Sequence, residues 1–215
     1  MRNRAEDQVT LVLIRHGETK ANKEGRYLGR TDESLSEDGI RALLSYKKQN
    51  YYPEIRYLFS SPMKRCLETA GILYPELSPV LIPEWREMDF GRFEYKNYEE
   101  LSGNAQYQAW IDSGGVLDFP EGESRKNFLE RCEKGFRRVC GELDRIREQG
   151  TERSPRAGLV VHGGVIMALL SSHGDKNYFD YQAANGRGYL CRMEVRHGKD
   201  EAGGGCVRIE PESEI

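Results

Sequence analysis

The feature that most constrains this chain is a short run, Val9-Thr10-Leu11-Val12-Leu13-Ile14, apolar almost without a break and ending abruptly at Arg15-His16-Gly17. A strand with one wet face alternates polar and apolar residues, whereas a strand covered on both faces does not. Leu159-Val160-Val161 repeats the pattern and ends at His162-Gly163-Gly164. Ile55 to Ser60 and Val80-Leu81-Ile82 are further strand candidates. Helical patterns lie between them. Ser36 offers a cap, with Glu37 and Asp38 in the first turn and Ile40, Leu43 and Leu44 as the expected buried face. Ser61-Pro62 reads as a cap plus first-position proline, opening a helix that gathers Cys66, Thr69, Ala70 and Leu73 on one side. A long helix starts near Ser124, because Phe128, Cys132, Phe136, Val139, Leu143 and Ile146 recur at helical spacing. Val165 to Leu170 reads as a buried helix. Tyr189 to Val195 alternates in polarity, Gly203-Gly204-Gly205 marks a turn, and Val207 to Ile209 returns as the second arm of a hairpin. Strands alternating with helices predict an α/β fold, a three-layer α/β/α sandwich with a mostly parallel central sheet, and the hairpin adds an antiparallel edge. No linker divides residues 1–215, so one domain is expected. Residues 85–122, rich in aromatics, Gly and acids and without a period, read as an excursion that serves as a lid.

The chemistry concentrates at the strand ends. Of four histidines, His16 and His162 each follow an apolar strand and precede glycine. Parallel sheets bind ligands beyond the carboxyl ends of their strands, so the two can face one crevice. Either alone reads more naturally as a hydrogen-bonded turn histidine; the matched pair, with Arg15 adjacent, reverses that preference. Arg65 falls in the first turn of the helix after a strand. Guanidinium groups fork onto phosphate oxygens, and helix N-termini with exposed glycine amides add donors. From spacing alone, Arg65 would pass for a solvated surface charge. A metal site is the competing reading, weakened by arginines that repel a divalent cation and by the lack of HxH, HxxxH or DxH spacing. His173 and His197 fit no motif.

Composition removes several classes. The net charge is -3, with 31% charged residues of mixed sign, unlike a nucleic-acid surface with its basic excess. No apolar run approaches the roughly 18 residues of a membrane span, and Met1 to Thr10 lacks a secretory signal's apolar stretch. The expected location is therefore cytoplasmic. Cys66, Cys132, Cys140, Cys191 and Cys206 are odd in number and show no CxxC spacing, which favours reduced thiols. Cys66 directly follows Arg65, so its oxidation would disturb the pocket.

Leu13-Ile14-Arg15-His16-Gly17-Glu18-Thr19-Lys20-Ala21-Asn22 resembles the histidine phosphatase superfamily, the phosphoglycerate mutase-like clan, through its RHGExxxN pattern. The resemblance continues through Gly29, Asp32, Leu35-Ser36 and Gly39. It returns at Ser60 to Ala70, at Glu87-Met88-Asp89-Phe90-Gly91 and at Val161-His162-Gly163-Gly164, spanning roughly residues 9 to 170. It implies the phosphoglycerate mutase-like fold and metal-free, cofactor-free phosphoryl transfer. His16 would attack phosphorus and become phosphohistidine. Arg15, Arg65 and His162 would bind the phosphoryl oxygens, and Glu87 would protonate the leaving oxygen. Thr19, Asn22 and Gly163 complete the expected phosphate-binding set. A covalent intermediate splits one hard displacement into two easier ones. A neutral His16 should donate its other ring proton, to a backbone carbonyl for instance.

The same family holds mutases, which carry extra basic residues to retain a strongly acidic metabolite. After the proton-donor glutamate they have Arg-His-Tyr, where this chain has Met88-Asp89-Phe90; their paired arginines find no counterpart between Lys96 and Phe119, and Gly164 replaces their Asn. These departures favour hydrolysis. Glu84 to Glu94 and Phe119-Pro120-Glu121-Gly122-Glu123-Ser124 look most like the α-ribazole phosphatase group of cobalamin biosynthesis, although Tyr95 stands where many relatives have Gly. The expected partner is a small phosphorylated metabolite, with a homodimer left open. Trp85, Phe90, Phe93, Tyr95, Tyr98, Tyr107, Trp110 and Phe119 either stack a planar base or pack the excursion on the sheet. A phosphotransferase of the mutase type, a broad sugar phosphatase and a non-catalytic phospholigand binder are the alternatives; the binder is disfavoured because both histidines, both arginines and the glutamate are present.

Overall fold

The computed structural model describes residues 8–150, 152, 154–199 and 205–215. Its elements run β1 (Gln8–Arg15), α1 (Lys20–Lys23), α2 (Glu37–Lys48), β2 (Tyr57–Ser60), α3 (Lys64–Leu73), β3 (Val80–Leu81), α4 (Ala105–Asp112), α5 (Arg125–Glu148), β4 (Arg156–Val161), α6 (Gly163–His173), β5 (Gly188–Lys199) and β6 (Gly205–Glu214). They make one sheet in the order β3-β2-β4-β1-β5-β6. The first four strands are parallel, and β5 and β6 extend the sheet antiparallel beyond β1. The expected mostly parallel sheet with an antiparallel edge is what forms. Of the turn expected at Gly203-Gly204-Gly205, the first two residues lie outside those described.

The missing alternation in β1 has its cause in the layers. Leu11 and Leu13 enter the core beneath α5 and α6, with Phe128, Cys132, Phe136 and Val165. Val12 and Ile14 enter the core on the other face, with Leu43 of α2 and Cys66, Ala70 and Leu73 of α3. With both faces dry, successive positions are all apolar. Fully burying one such side chain is worth roughly 1.5–3 kcal/mol.

Two local expectations need correction. In α2 only Leu43 of the three apolar positions is buried; Ile40 and Leu44 are exposed. Neighbouring helix positions differ by about 100°, and the inward stripe is Gly39 and Leu43. Nor does Ser61 cap α3. The N-cap is Met63, whose side chain has no oxygen to accept a cap bond, and the Ser61 hydroxyl accepts instead from His162 and the Met63 amide. Ser36 and Ser124 do cap α2 and α5, accepting from the amides of Gly39 and Asn127.

Residues 82–122 leave β3 and return to α5 through two 3-10 turns, Pro83–Trp85 and Gly91–Phe93, and through α4. Trp85 is fully buried and its indole donates to the Cys132 carbonyl. Phe93 is core as well, whereas Tyr98 is exposed. Tyr95 adopts φ 60°, the left-handed region that favours glycine. Its amide donates to the Tyr27 carbonyl and its hydroxyl to Glu33, which hold it there.

Candidate active site

Three parallel strands, β2, β4 and β1, lie side by side, so their carboxyl ends open on the same edge. Arg15 and His16 leave β1, Ser61 leaves β2 and His162 leaves β4. His16, Arg65 and His162 are all buried, and the two imidazoles meet edge to face with centroids 5.2 Å apart.

His16 is held in one tautomer. Its Nδ1 lies 2.7 Å from the Gly17 carbonyl oxygen. A carbonyl only accepts, so Nδ1 carries the proton and Nε2 keeps a lone pair. Burial, then Arg65, then Arg15 push the His16 pKa well below its ordinary value, so the ring is neutral. The loop beneath it is clamped from two sides. Thr69 of α3 accepts from the Gly17 amide. Asn185, a residue the sequence reading passed over, donates from its side-chain amide to the His16 carbonyl at 3.2 Å and to Asn22 Oδ1 at 3.1 Å. The Gly186 amide adds bonds to the Arg15 and His16 carbonyls. Asn185-Gly186 is a recognisable turn signal, but nothing local says that it folds back onto a loop 169 residues away.

Arg65 is fully buried rather than solvated. Its Nη1 and Nη2 donate to the carbonyls of Thr31 and Gly29, and its Nε donates to His162 Nδ1 at 3.2 Å. That bond settles the second tautomer: His162 Nε2 bears the proton and donates to Ser61 Oγ at 2.8 Å. His162 is also neutral, its pKa driven far down by burial, then by Arg65 and His16. The Gly29-Thr31 turn is fixed in its own right, since both amides donate to the Glu94 carboxylate. Cys66 lies against His162, Sγ 3.6 Å from Nε2. Burial pushes its thiol up to about 12, which leaves it protonated and unreactive.

Arg15 donates through Nη1 to the Ala183 carbonyl at 2.8 Å, while its Nε is buried without a partner. Burial lowers its pKa against the opposing pull of Glu87. A buried donor that lacks an acceptor marks where a ligand atom fits. Gly163 lies close by: a Cβ built there would come within 3.5 Å of that Nε. Glu87 approaches from the 83–93 segment. Its Oε2 accepts from the Gly164 amide at 3.1 Å and its Oε1 from the Met88 amide at 2.9 Å. Gly164 has to be glycine for this, because a Cβ would stand 2.4 Å from Glu87 Oε1. Thr19 is turned to another task. It is buried, and its hydroxyl caps α1 by accepting from the Asn22 amide. Asn22 Oδ1 in turn accepts from the Thr19 amide and from Asn185, which leaves the Asn22 Nδ2 protons for a ligand.

Arg15, Glu87, Gly163 and Gly164 are among the residues that line a cavity of about 280 Å³. Tyr27, Phe90, Trp110 and Phe119 line it as well. Among the described residues no three His, Cys, Asp or Glu side chains are grouped to hold a metal ion, and no helix is long and apolar enough to cross a membrane.

Comparison with known proteins agrees with this geometry. The family model "Histidine phosphatase superfamily (branch 1)" matches residues 11–202. The adenosylcobalamin/alpha-ribazole phosphatase of Salmonella typhimurium is 30% identical over 150 residues, 65% of this chain and 74% of that protein. Phosphoglycerate mutase-like protein 4 of Arabidopsis thaliana is 28% identical over 170 residues, 76% of this chain and 70% of that protein. The crystal structure of the alpha-ribazole phosphatase from Shigella flexneri superposes with a TM-score of 0.72 at 22% identity, over 94% of this chain and 96% of that one. The chain belongs to the histidine phosphatase superfamily.

Proposed function

We propose that this member of the histidine phosphatase superfamily is a phosphomonoesterase that works through phosphohistidine at His16 and hydrolyses a small metabolite whose leaving group carries a flat ring, α-ribazole 5'-phosphate being the specific candidate. The observation that carries this reading is the tautomer of His16: Nδ1 tied to Gly17, Nε2 unprotonated, and two arginines beside a neutral ring.

His16 Nε2 attacks phosphorus and the bond from phosphorus to the leaving oxygen breaks. Glu87 gives that oxygen its proton. Water then attacks the phosphohistidine while Glu87 takes a proton back, and phosphate leaves with His16 restored. Charge on the equatorial oxygens is met by Arg15 Nε, the Asn22 amide and the Gly163 amide at the start of α6, a helix whose N-cap His162 makes no side-chain cap bond. Arg65 adds positive charge beside His16, and its ties to Gly29 and Thr31 hold that charge in place without rearrangement. Residues 85–122 cover the leaving group.

The cavity favours hydrolysis over retention of a polyanion. Met88, where the resembling mutases place a cation, is buried, and the remaining lining is mostly aromatic and aliphatic. Phosphate release in EDTA from p-nitrophenyl phosphate, α-ribazole 5'-phosphate, 3-phosphoglycerate and several sugar phosphates tests the reading. Release that tolerates EDTA and falls by roughly three orders of magnitude or more in His16→Ala supports it. Release that needs metal but survives in His16→Ala overturns it. A preference for α-ribazole 5'-phosphate fixes the substrate; a flat profile makes the enzyme a generalist.

A further inference from the structure

The cavity is not uniformly apolar. Three charged side chains line it, Arg15, Glu87 and Arg125. The first two serve the phosphoryl group, which leaves Arg125 facing the remainder of any substrate. Arg125 opens α5, and its guanidinium carbon sits 4.3 Å from the Tyr178 ring centroid and 5.4 Å from that of Phe179. Stacking fixes the guanidinium plane and leaves its N–H edge open. Asp118 takes the backbone amide of Arg125, and among the described residues no carboxylate pairs with the guanidinium.

A second donor is left over. Trp110 lines the same cavity, and its indole Nε1 is buried with no hydrogen-bond partner. The phenols in the wall are occupied: Tyr27 with Tyr107 at 3.2 Å, and Tyr178 as donor to the Gly164 carbonyl at 3.4 Å. Gln182, the remaining polar side chain of the lining, can donate or accept. A buried indole N–H without an acceptor is costly in the free protein, and an incoming acceptor relieves that cost.

We infer that the cavity is a leaving-group subsite for a flat ring bearing a hydrogen-bond acceptor, most strongly a carboxylate, lodged between the aromatic wall, Trp110 Nε1 and the Arg125 guanidinium. The inference rests on the phosphomonoesterase reading for the phosphate end and adds which alcohols the enzyme selects. A site with committed donors rejects a ligand that lacks the acceptor far more strongly than an apolar pocket rejects a missing methylene. Trp110 and Arg125 are then specificity residues.

The test uses binding, so that it does not depend on turnover. Calorimetry compares benzylphosphonate, 4-carboxybenzylphosphonate and the one-carbon-longer 4-(carboxymethyl)benzylphosphonate on the full chain. At least one carboxylated ligand should bind about tenfold more tightly than benzylphosphonate, as a charge-assisted hydrogen bond in a desolvated site provides. In Arg125→Met that ratio should fall toward one, and Trp110→Phe, which keeps an aromatic ring but removes the N–H, should lower it in part. Circular dichroism confirms that each variant folds. Equal affinities in the wild type, or a ratio unchanged in both variants, overturns the subsite. Preserved ligand discrimination without any phosphate release would overturn the phosphomonoesterase reading and leave the subsite standing, while failure of all three phosphonates to bind would sink both.

Discussion

The two ends of the site are built on different principles. At the phosphoryl end each group is tied to backbone or to another member of the site: His16 to the Gly17 carbonyl, Arg65 to the carbonyls of Thr31 and Gly29, and His162 between Arg65 and Ser61. At the leaving-group end the walls are rings packed on rings. Phe90 and Phe119 meet edge to face at 5.0 Å, Phe119 leans on Trp110 at 5.1 Å, and Tyr27 contacts them all. The difference follows from what each end has to do. Charge developing in a transition state is stabilised only by donors that do not move, because reorganisation would consume the gain. A leaving group needs an enclosing surface of suitable shape, and packed aromatics can be exchanged for others at small cost. The phosphoryl end therefore fixes the reaction and the aromatic end chooses the substrate.

Glu87 stands where the two ends meet, so changing it is the most severe way to break the contrast. Glu87→Gln keeps an acceptor oxygen for only one of the Gly164 and Met88 amides, which Glu87 takes on separate oxygens, and it cannot supply a proton. We expect kcat to fall by about 10²–10⁴, while competitive inhibition by inorganic phosphate is retained because the phosphoryl end is untouched. Unchanged turnover would move the acid role to Asp89 or Glu84. Both are already engaged, Asp89 with Arg30 and the Gly91 amide, Glu84 with Arg138 and Lys134.

A smaller effect sharpens the same boundary. In Gly164→Ala the new methyl would meet Glu87 Oε1 at 2.4 Å and the Phe128 ring edge at 3.1 Å, and both must shift. We expect kcat to drop by roughly tenfold through misplacement of the acid. Because the substitution acts through Glu87, the double variant Gly164→Ala/Glu87→Gln should be little worse than Glu87→Gln alone, a non-additivity measured by a double-mutant cycle. Full additivity would mean that Gly164 touches the reaction by another route.

The two ends were also unequally legible in the sequence. The strands announced themselves because burial on both faces forces runs such as Val9 to Ile14, and His16, Arg15 and His162 follow from lying at the ends of such runs. The family pattern then added Glu87. Arg65 was ambiguous from spacing alone, since the carbonyls that bury it belong to Gly29 and Thr31. Ser61 carried a helix-cap signal, but a histidine 101 residues later claims its hydroxyl. Asn185 was invisible for the same reason. The 82–122 segment has no period because it is built from 3-10 turns and from positive-φ positions at Gly91, Tyr95 and Glu121, which interrupt any hydrophobic repeat. The assignment of its aromatics to core or cavity, Trp85 and Phe93 against Phe90 and Trp110, depends on which way each turn points.

The smallest effect separates the ends by pH. His16 and His162 are buried and neutral, with pKa values pushed well below the ordinary 6.5 of a histidine. Arg15, Arg65 and the partner imidazole face His16, so a proton on either ring is repelled as well as desolvated. In the unfolded chain both rings titrate near 6.5. Above that pH neither state binds the proton and the stability is fully present. As pH falls below it, the unfolded chain gains protons that the folded protein refuses, so stability is lost progressively toward the depressed folded pKa. Each histidine then contributes a slope of up to about 1.4 kcal/mol per pH unit. Urea denaturation from about pH 7 to about pH 5 should show this fall, and His16→Asn should remove close to one proton of the slope. Phe119→Leu, at the aromatic end, should lower the whole curve by about 1 kcal/mol without changing its slope. A slope that Phe119→Leu alters as much as His16→Asn does would mean that the two ends unfold as one coupled unit and that their separation is only geometric.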